Sequence, residues 1–300
     1  MDITGWAVIA PEPGGREQGK SWVAPRSDAA RADHWLWKPR TRTGDGTWPA
    51  LNDVAEVAAS RIASAIDLPA AECSYAHKNG LGVISRNVTP SGYDLHDGEA
   101  FLHEIEGYVR REPEFDEHGV EKGRVRSNIG YTLEAVAGVL DGMGGPPGHE
   151  HLSAFQVFAG YLVLDALVAN TDRHPRNWAV LEDRATGRRA IAPTFDHGTA
   201  LGAGLTEPNR ETREIAAFCR KGMANPFTPA KQTLVELAAR ATLEAEAEFW
   251  VKRVVALDQP AFLDVLQAPA GRLSEGASTF MAQVLSINRE RLRDADKSRD

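Results

Sequence analysis

The stretch from Leu164 to Gly202 constrains this chain most, because an apolar helical run is followed there by a polar loop and two strand-like runs. The helical run ends at Asn170, and the loop contains Asp172 and Asn177, separated by four residues. The second strand-like run leads into a D-x-G turn that begins at Asp196. Carboxylate and amide oxygens are ligands that Mg²⁺ prefers. The pattern therefore predicts that three side chains from two neighbouring loops converge on a cation.

Enzymes that transfer a phosphoryl group as protein kinases do need three parts of this kind. An aspartate accepts the hydroxyl proton, an asparagine after a four-residue gap holds magnesium, and a second aspartate at a D-x-G turn holds magnesium as well. The spacing assigns these roles to Asp172, Asn177 and Asp196 in turn. Either motif alone is common by chance, whereas both in this order are more specific. The alternative is a polar loop that only makes Asx turns.

A lysine strand is predicted at His34–Pro39, where Trp35 and Trp37 fall on one face and Lys38 on the other. A lysine in that position can reach phosphates from the floor of a sheet. The alternative is a strand-end lysine whose amine reaches water. The helix predicted at Leu51–Asp67 places Glu56 beside its apolar stripe, where it could pair with Lys38 or remain exposed.

A buried acid is expected in the helix predicted at Leu152–Asn170, which is apolar nearly all round. Asp165 lies in this helix shortly before the polar loop. A buried carboxylate needs partners. We therefore expect Asp165 to brace the loop rather than to react.

Composition narrows the class of protein. Of the 300 residues, 42% are hydrophobic and 25% are charged, which is ordinary for a soluble globular enzyme. The formal net charge of −8 argues against direct binding of nucleic acid. Cys73 and Cys219 are far apart, so a reducing cytoplasm is the expected location. No stretch is long and apolar enough to predict a membrane span.

Other elements follow from periodicity and turn signals. Residues 86–98 turn polar and are predicted as the boundary between two lobes, residues 112–126 as a charged loop, and residues 203–229 as a helix-poor segment. The predicted strands are Trp6–Ile9, Ser21–Val23, Ala71–Ala76, Leu81–Ser85, Trp178–Leu181 and Arg189–Ala192. The further predicted helices are Glu99–Arg111, Thr132–Leu140, Ala230–Leu257, Pro260–Leu266 and Ala277–Asp294.

The central motifs also carry a family resemblance. The sequence N-T-D-R-H-P-R-N at 170–177, followed by A-P-T-F-D at 192–196, resembles the HipA-like kinases, the serine/threonine kinase toxins of bacterial toxin–antitoxin systems. Trp35–Lys38 is similar to the ATP-binding lysine strand of that family, and Gly82–Arg86 to its strand into the hinge. The resemblance touches residues 15–205.

The resemblance implies an α+β protein with a two-lobed, protein-kinase-like fold. We expect a small β-rich N-lobe at residues 1–90 and a larger, mostly helical C-lobe at residues 91–300. ATP and Mg²⁺ are the implied cofactors. The resemblance makes Asp172 and Lys38 catalytic residues and Asn177 and Asp196 metal ligands. It adds a nucleotide-binding set that consists of Gly15, Lys20, Lys38, Glu56, Ser85, Arg86 and His174.

By resemblance, Gly15 to Ser21 would correspond to the phosphate loop of the family. The glycines there can bring backbone N–H groups close to a phosphate; the alternative is a surface hairpin. In relatives this loop carries a regulatory phosphorylated serine, and Ser21 is the candidate here. The chain is short for the family, and we expect most of the N-terminal subdomain of the toxin to be missing. The segment after Asp196 differs from the usual D-x-x-S, so the resemblance does not identify the acceptor.

Three functions follow as expectations. The first is an ATP-dependent kinase that phosphorylates a protein serine or threonine, with an antitoxin-type partner left open. The second is a kinase for a small molecule, such as an antibiotic or a biosynthetic intermediate. The third is a nucleotide-binding regulatory protein without turnover. The presence of Lys38, Asp172, Asn177 and Asp196 together favours an enzyme.

Overall fold

An antiparallel sheet forms the first part of the chain in the computed structural model, which describes residues 1–11, 19–43, 46–110, 129–228 and 232–297. The sheet order is β1-β2-β3-β5-β4. Its strands are β1 (Ala7–Pro11), β2 (Ser21–Ala24), β3 (Trp35–Pro39), β4 (Cys73–His77) and β5 (Leu81–Arg86). The predicted strands of this region are thereby confirmed.

The two faces of the sheet differ as the alternation of β3 predicts. One face carries Trp37, which packs with Val23 and Ile84 in a small apolar cluster. The other face carries Lys38, whose cross-strand partner on β5 is Val83. Since directly opposed residues share a face, Lys38 and Val83 both point toward α1 (Asn52–Ala65), which packs on β4 and β5.

The hairpin between β4 and β5 turns at an Asn-Gly pair. Asn79 and Gly80 take positive φ angles of 55° and 157°. Asparagine and glycine tolerate this backbone region best, which is why they dominate tight hairpin turns. The register that follows places Cys73 opposite Ser85.

The remainder is mostly helical, with one small sheet of order β6-β7-β8. Its strands are β6 (Tyr93–Asp97), β7 (Ala179–Asp183) and β8 (Arg189–Ile191). The helices are α2 (Gly98–Leu102), α3 (Leu133–Leu140), α4 (Ala154–Val168), α5 (Glu207–Thr212), α6 (Ile215–Arg220), α7 (Leu234–Glu244), α8 (Phe249–Val255), α9 (Gln259–Val265) and α10 (Glu275–Lys297).

Helix α4 is the centre of the main core. Ser153 begins it with a capping box, in which the Gln156 backbone N–H donates to Ser153 Oγ over 3.1 Å and the Gln156 side chain accepts from the Ser153 backbone N–H over 3.0 Å. Ala169 ends it in the left-handed conformation, with φ 54°. The helix contacts α7, α10 and α1, so nearly its whole circumference is buried, as predicted.

Several predicted boundaries were wrong. The helix predicted at Ala230–Leu257 is divided into α7 and α8, because Glu246 takes a φ of 52° and the Ala247 N–H donates to the Thr242 carbonyl, which closes α7. The segment predicted as helix-poor contains α5 and α6. Pro208 lies in the first turn of α5, where a proline is tolerated rather than disruptive.

Two further differences concern the region after the sheet. The helix predicted at Glu99–Arg111 ends as α2 at Leu102, and Gly107 then takes a φ of 81°. Part of the predicted lobe boundary is a regular strand, because β6 pairs with β7. The boundary between residues 90 and 91 stays a prediction, and the charged loop predicted at 112–126 lies outside the described residues. No helix in the described part of the chain combines the length and the hydrophobicity that crossing a bilayer requires.

Candidate active site

Lys38 contacts two carboxylates, one from α1 and one from the D-x-G turn. Its Nζ donates to Glu56 Oε1 over 2.5 Å and to Asp196 Oδ1 over 2.7 Å. Lys38 and Glu56 are almost fully buried, whereas the Asp196 side chain is 37% exposed. Glu56 reaches Lys38 because α1 packs on the Lys38 face of the sheet. Of the two alternatives for Glu56, the structure shows the pair with Lys38 and not the exposed side chain.

The contact between Lys38 and Asp196 stabilises the charged form of both side chains. Burial disfavours the charged form of Lys38, but Asp196 and Glu56 outweigh that effect and hold the pKa of Lys38 well above its ordinary value. The charge of Lys38 is in turn the main reason that the pKa of Asp196 lies well below its ordinary value. Lys38 is therefore a cation and Asp196 an anion over the whole range near neutral pH.

Asp196 has an unusual backbone for a residue other than glycine. Its φ is 64°, in the left-handed region that aspartate tolerates better than most side chains. The turn after it brings the His197 N–H to Glu56 Oε2 over 3.2 Å. The D-x-G segment is thus held against α1 as well as against the lysine strand. A left-handed φ at a residue other than glycine, as at Asp196, is common at functional sites.

The predicted phosphate loop is only partly described. Gly15 lies outside the described residues, so its predicted role is not addressed by the structure. Lys20, just before β2, is close enough for its positive charge to help lower the pKa of Asp196. Lys20 is therefore a second lysine near Asp196.

Arg173 organises the polar loop after α4. Its Nε and Nη2 donate to the two carboxylate oxygens of Asp165 over 2.7 and 2.8 Å, and its Nη1 donates to the Asn177 backbone carbonyl over 2.5 Å. Both Arg173 and Asp165 are buried. A bidentate, fully buried ion pair of this kind fixes geometry because neither charge can be solvated elsewhere. The expectation that Asp165 braces the loop is confirmed.

A second set of hydrogen bonds closes the same loop. The Asn177 side-chain Nδ2 donates to the Asp172 backbone carbonyl over 2.7 Å. Asn170 donates to Asp165 Oδ1 over 2.8 Å and accepts from the Thr199 hydroxyl over 2.8 Å. The loop of residues 170–177 is therefore tied both to α4 and to the segment after Asp196. Asp172 and Asn177 are brought together, as the spacing predicts.

The pKa of Asp172 depends on its burial and on the charges near it. Partial burial raises the pKa of Asp172 above its ordinary value, the nearby His174 acts in the opposite direction, and the negative charge of Asp196 raises the pKa again. A carboxylate with a raised pKa is a better proton acceptor while it remains ionised at neutral pH. The two acids therefore have different electrostatic surroundings, which suits different tasks.

His197 is buried between Arg173 and Thr194, and sequence reasoning gave it no role. Its Nε2 lies 3.2 Å from Arg173 Nη2 and 3.2 Å from Thr194 Oγ1. Arginine can only donate, so Nε2 is the acceptor and the proton of the neutral ring is on Nδ1. Burial, and then the charge of Arg173, hold the pKa of His197 well below its ordinary value.

The other residues predicted to bind the nucleotide lie in three settings. Ser85 is opposite Leu36 on the Lys38 face of the sheet. Arg86 is opposite Trp35 on the other face, and its guanidinium lies 5.9 Å from the centre of that indole ring. His174 caps the short 3-10 helix Pro175–Asn177, since its Nδ1 accepts from the Arg176 N–H. Their roles in nucleotide binding stay predictions.

Arg173 and His197 are the contributors that sequence reasoning missed. A signal for Arg173 was present, because the buried acid predicted at Asp165 demands a cation and Arg173 is in the loop that Asp165 was expected to brace. For His197 the sequence carries no comparable signal, since the partner that makes it useful is Arg173, 24 positions away.

The donor set suits Mg²⁺ together with a polyphosphate. Mg²⁺ is usually held by one or two carboxylates while phosphates and water complete its shell. Asp196 is ionised, and Lys38 uses only its Oδ1. Asn177 uses its amide nitrogen in the bond to Asp172, so that bond does not engage the amide oxygen. Within the described ranges no three His, Cys, Asp or Glu side chains form a metal-binding group of their own.

Two solved structures with TM-scores above 0.5 show what this fold is similar to. The Helicobacter pylori proinflammatory kinase CtkA has a TM-score of 0.66 at 16% identity, over 100% of this chain and 97% of that one. HipA of Shewanella oneidensis MR-1, solved with HipB and operator DNA, has a TM-score of 0.53 at 11% identity, over 98% of this chain and 68% of that one. The chain thus has the two-lobed kinase fold that was predicted, with a small antiparallel sheet and a larger helical part.

Sequence comparison gives the family directly. No curated protein matches the chain. The family described as the HipA-like C-terminal domain matches residues 13–257, which is most of the chain. The resemblance read from the motifs at 170–177 and 192–196 is therefore confirmed. The chain belongs to the family of HipA-like C-terminal domains.

Proposed function

We propose that the chain is a phosphotransferase that moves the γ-phosphoryl group of Mg-ATP to a hydroxyl, with a protein serine or threonine as the acceptor. One observation carries the proposal. Lys38 Nζ donates to Glu56 and to Asp196, and the negative charge of Asp196 is near enough to raise the pKa of Asp172. A cation for phosphates, an anion for metal and a proton acceptor are the parts that this reaction needs.

Lys38 and the metal ligands would do most of the positioning. When bound, Mg-ATP supplies the phosphoryl group and the divalent charge that neutralises its oxygens. Lys38 would bind phosphate oxygens, and Glu56 would keep its amine in place. Asp196 and Asn177 would hold the metal through a carboxylate and an amide oxygen. Because these groups are fixed by the fold, little reorganisation accompanies the reaction.

Asp172 would orient the acceptor and take its proton. The hydroxyl oxygen forms a bond to the γ-phosphorus while the bond from that phosphorus to the ADP oxygen breaks, and the hydroxyl proton moves to the Asp172 carboxylate. The raised pKa of Asp172 favours this transfer. Arg173 does not touch the reacting atoms, but it fixes the loop that presents Asp172.

The division into lobes belongs to the same proposal. Residues 1–90 would form the nucleotide-binding lobe and residues 91–300 the lobe that carries Asp172, Asn177 and Asp196. The relative from Shewanella oneidensis was solved with HipB. An antitoxin-type protein partner is accordingly part of the proposal, and co-purification from the source cells would test it.

Transfer of radiolabel from [γ-³²P]ATP tests the function. The purified protein is incubated with labelled ATP alone and with cell lysate, and the products are separated by size. We expect a labelled protein band, either the chain itself or a lysate protein. A labelled small metabolite would instead support a small-molecule kinase. Nucleotide binding without any labelled product would contradict the proposed activity and leave a binding protein.

A further inference from the structure

A groove adjoins the loop that carries Asp172. It has a volume of about 440 Å³ and lies between the end of α4, the loop at Thr171 and helix α6 with its flanks. Thr171 directly precedes Asp172, so one edge of the groove is a single residue, about 3.8 Å along the chain, from the proposed proton acceptor. A molecule in this groove could present a hydroxyl to Asp172. This reasoning rests on the proposed function.

The charge of the groove is positive. Arg213 and Lys221 line it, both are exposed, and neither forms an ion pair with another described residue. Glu214 also lines it, but its carboxylate is engaged by the Ala216 and Ala217 N–H groups over 3.0 and 2.5 Å. The same carboxylate lies 3.2 Å from Arg220. The charge of Glu214 is therefore offset, whereas those of Arg213 and Lys221 are not.

The remaining wall is apolar and fixed in place. Ala217 and Phe218 come from α6, and Ala169 comes from the end of α4. The Phe218 ring packs edge-on against Phe280 of α10, with ring centres 5.4 Å apart. The groove thus offers two cations and an apolar surface in a molecule whose formal net charge is −8. A local positive surface on an acidic protein selects for acidic ligands.

We infer that this groove binds the acceptor as a peptide segment in which acidic residues flank the serine or threonine. The flanking carboxylates would lie against Arg213 and Lys221, and an apolar side chain would lie against Phe218. This places the hydroxyl beside Asp172, where the hydroxyl oxygen gains the phosphoryl group, ADP leaves, and the proton passes to the carboxylate. The groove would therefore set which proteins are phosphorylated.

Fluorescence anisotropy with three labelled peptides tests this. Each has a central serine, and the flanking residues are glutamate, glutamine or lysine. Exposed charge pairs of this kind each change affinity by roughly three- to fivefold, so the glutamate peptide should bind about tenfold tighter than the glutamine peptide. Arg213→Glu and Lys221→Glu should each weaken binding of the glutamate peptide by roughly three- to fivefold.

Lys252→Glu is the matched control. Lys252 is an exposed lysine in the last turn of α8, and Lys221 is the exposed lysine that directly follows α6. Unlike Lys221, Lys252 does not line the groove. Reversal of the Lys252 charge should leave peptide binding unchanged. The double variant Arg213→Glu, Lys221→Glu should prefer the lysine peptide. A gain of that kind cannot come from misfolding.

The outcomes separate this inference from the proposed function. Equal binding of the three peptides, or an equal effect of Lys252→Glu, would overturn the groove as the acceptor site. Labelled transfer from ATP to the glutamine peptide at the same rate as to the glutamate peptide would also overturn it, yet leave the phosphotransferase in place. Selective binding of the glutamate peptide with no transfer to any peptide would overturn the acceptor role and the peptide-kinase activity together.

Discussion

At the scale of single residues, Asp172 and Asp196 have the same side chain and different surroundings. Lys38 holds Asp196 as an anion, whereas partial burial and the charge of Asp196 raise the pKa of Asp172. We predict that Asp172→Asn lowers transfer by about 100-fold or more but leaves the affinity for Mg-ATP unchanged. Asp196→Ala should lose both transfer and tight Mg-ATP binding, because it removes a metal ligand.

Isothermal titration with Mg-ATP, paired with a transfer assay, checks these two substitutions. Asp28→Asn provides the control, since Asp28 is an exposed carboxylate whose partner is the exposed Arg26. Equal loss of Mg-ATP affinity in Asp172→Asn and Asp196→Ala would contradict the separate roles assigned to the two aspartates.

His197 gives a prediction about pH. Its pKa in the folded protein is held well below the value of about 6.5 that an unfolded chain has. Below that pH the unfolded chain gains a proton that the folded protein does not, so stability falls as the pH falls. Between pH 7.5 and 5.5, the wild type should lose about 1.4 kcal/mol more than His197→Gln. Urea unfolding at both pH values measures this, and equal losses would show that His197 is not held neutral.

At the scale of elements, the contact between α4 and the following loop depends on one buried ion pair. Arg173→Met leaves the Asp165 carboxylate buried without its cation, which should lower the free energy of unfolding by about 3–5 kcal/mol. Chemical denaturation measures the loss. Arg184→Met, which breaks the half-exposed pair with Asp94, should cost under about 1 kcal/mol. A loss of similar size in both variants would mean that the Arg173 pair does not hold the loop.

Sequence patterns predicted the elements around the site better than those far from it. The lysine strand and α1 follow from strict alternation and an apolar stripe, so the contact of Lys38 with Glu56 was one of two alternatives that the sequence offered. The break between α7 and α8 could not be predicted, because glutamate is an ordinary helix residue and nothing in its identity signals the left-handed φ that Glu246 takes. The contact between His197 and Arg173 joins positions 24 residues apart, which local periodicity does not reveal.

At the scale of the whole molecule, a buried charge cluster joins the C-terminal region to the sheet. Asp53 of α1 accepts from Arg40 over 2.9 Å and from Arg272 over 2.6 Å. Arg272, between α9 and α10, also donates to the Ala76 and Gly82 carbonyls of β4 and β5 over 2.6 and 2.9 Å. The Arg272 side chain thus donates to the Asp53 carboxylate and to two carbonyls of the five-stranded sheet.

Loss of that side chain should weaken the whole fold. Arg272→Met removes one hydrogen bond from each of two strand carbonyls and leaves Asp53 with one cation instead of two. We predict a loss of about 2–4 kcal/mol in the free energy of unfolding. Arg26→Met, at the exposed pair with Asp28, should change it by under about 1 kcal/mol. If thermal and urea unfolding show no greater effect for Arg272→Met than for Arg26→Met, the cluster does not join the two parts.

The most direct test of the central claim is a crystal structure of the protein with Mg²⁺ and a non-hydrolysable ATP analogue. The predicted result has Mg²⁺ bound to oxygens of Asp196 and Asn177 at about 2.0–2.1 Å, Lys38 against the phosphates, and the Asp172 carboxylate facing the γ-phosphate. A nucleotide bound elsewhere, or an Asp172 carboxylate that faces away from the γ-phosphate, would contradict it.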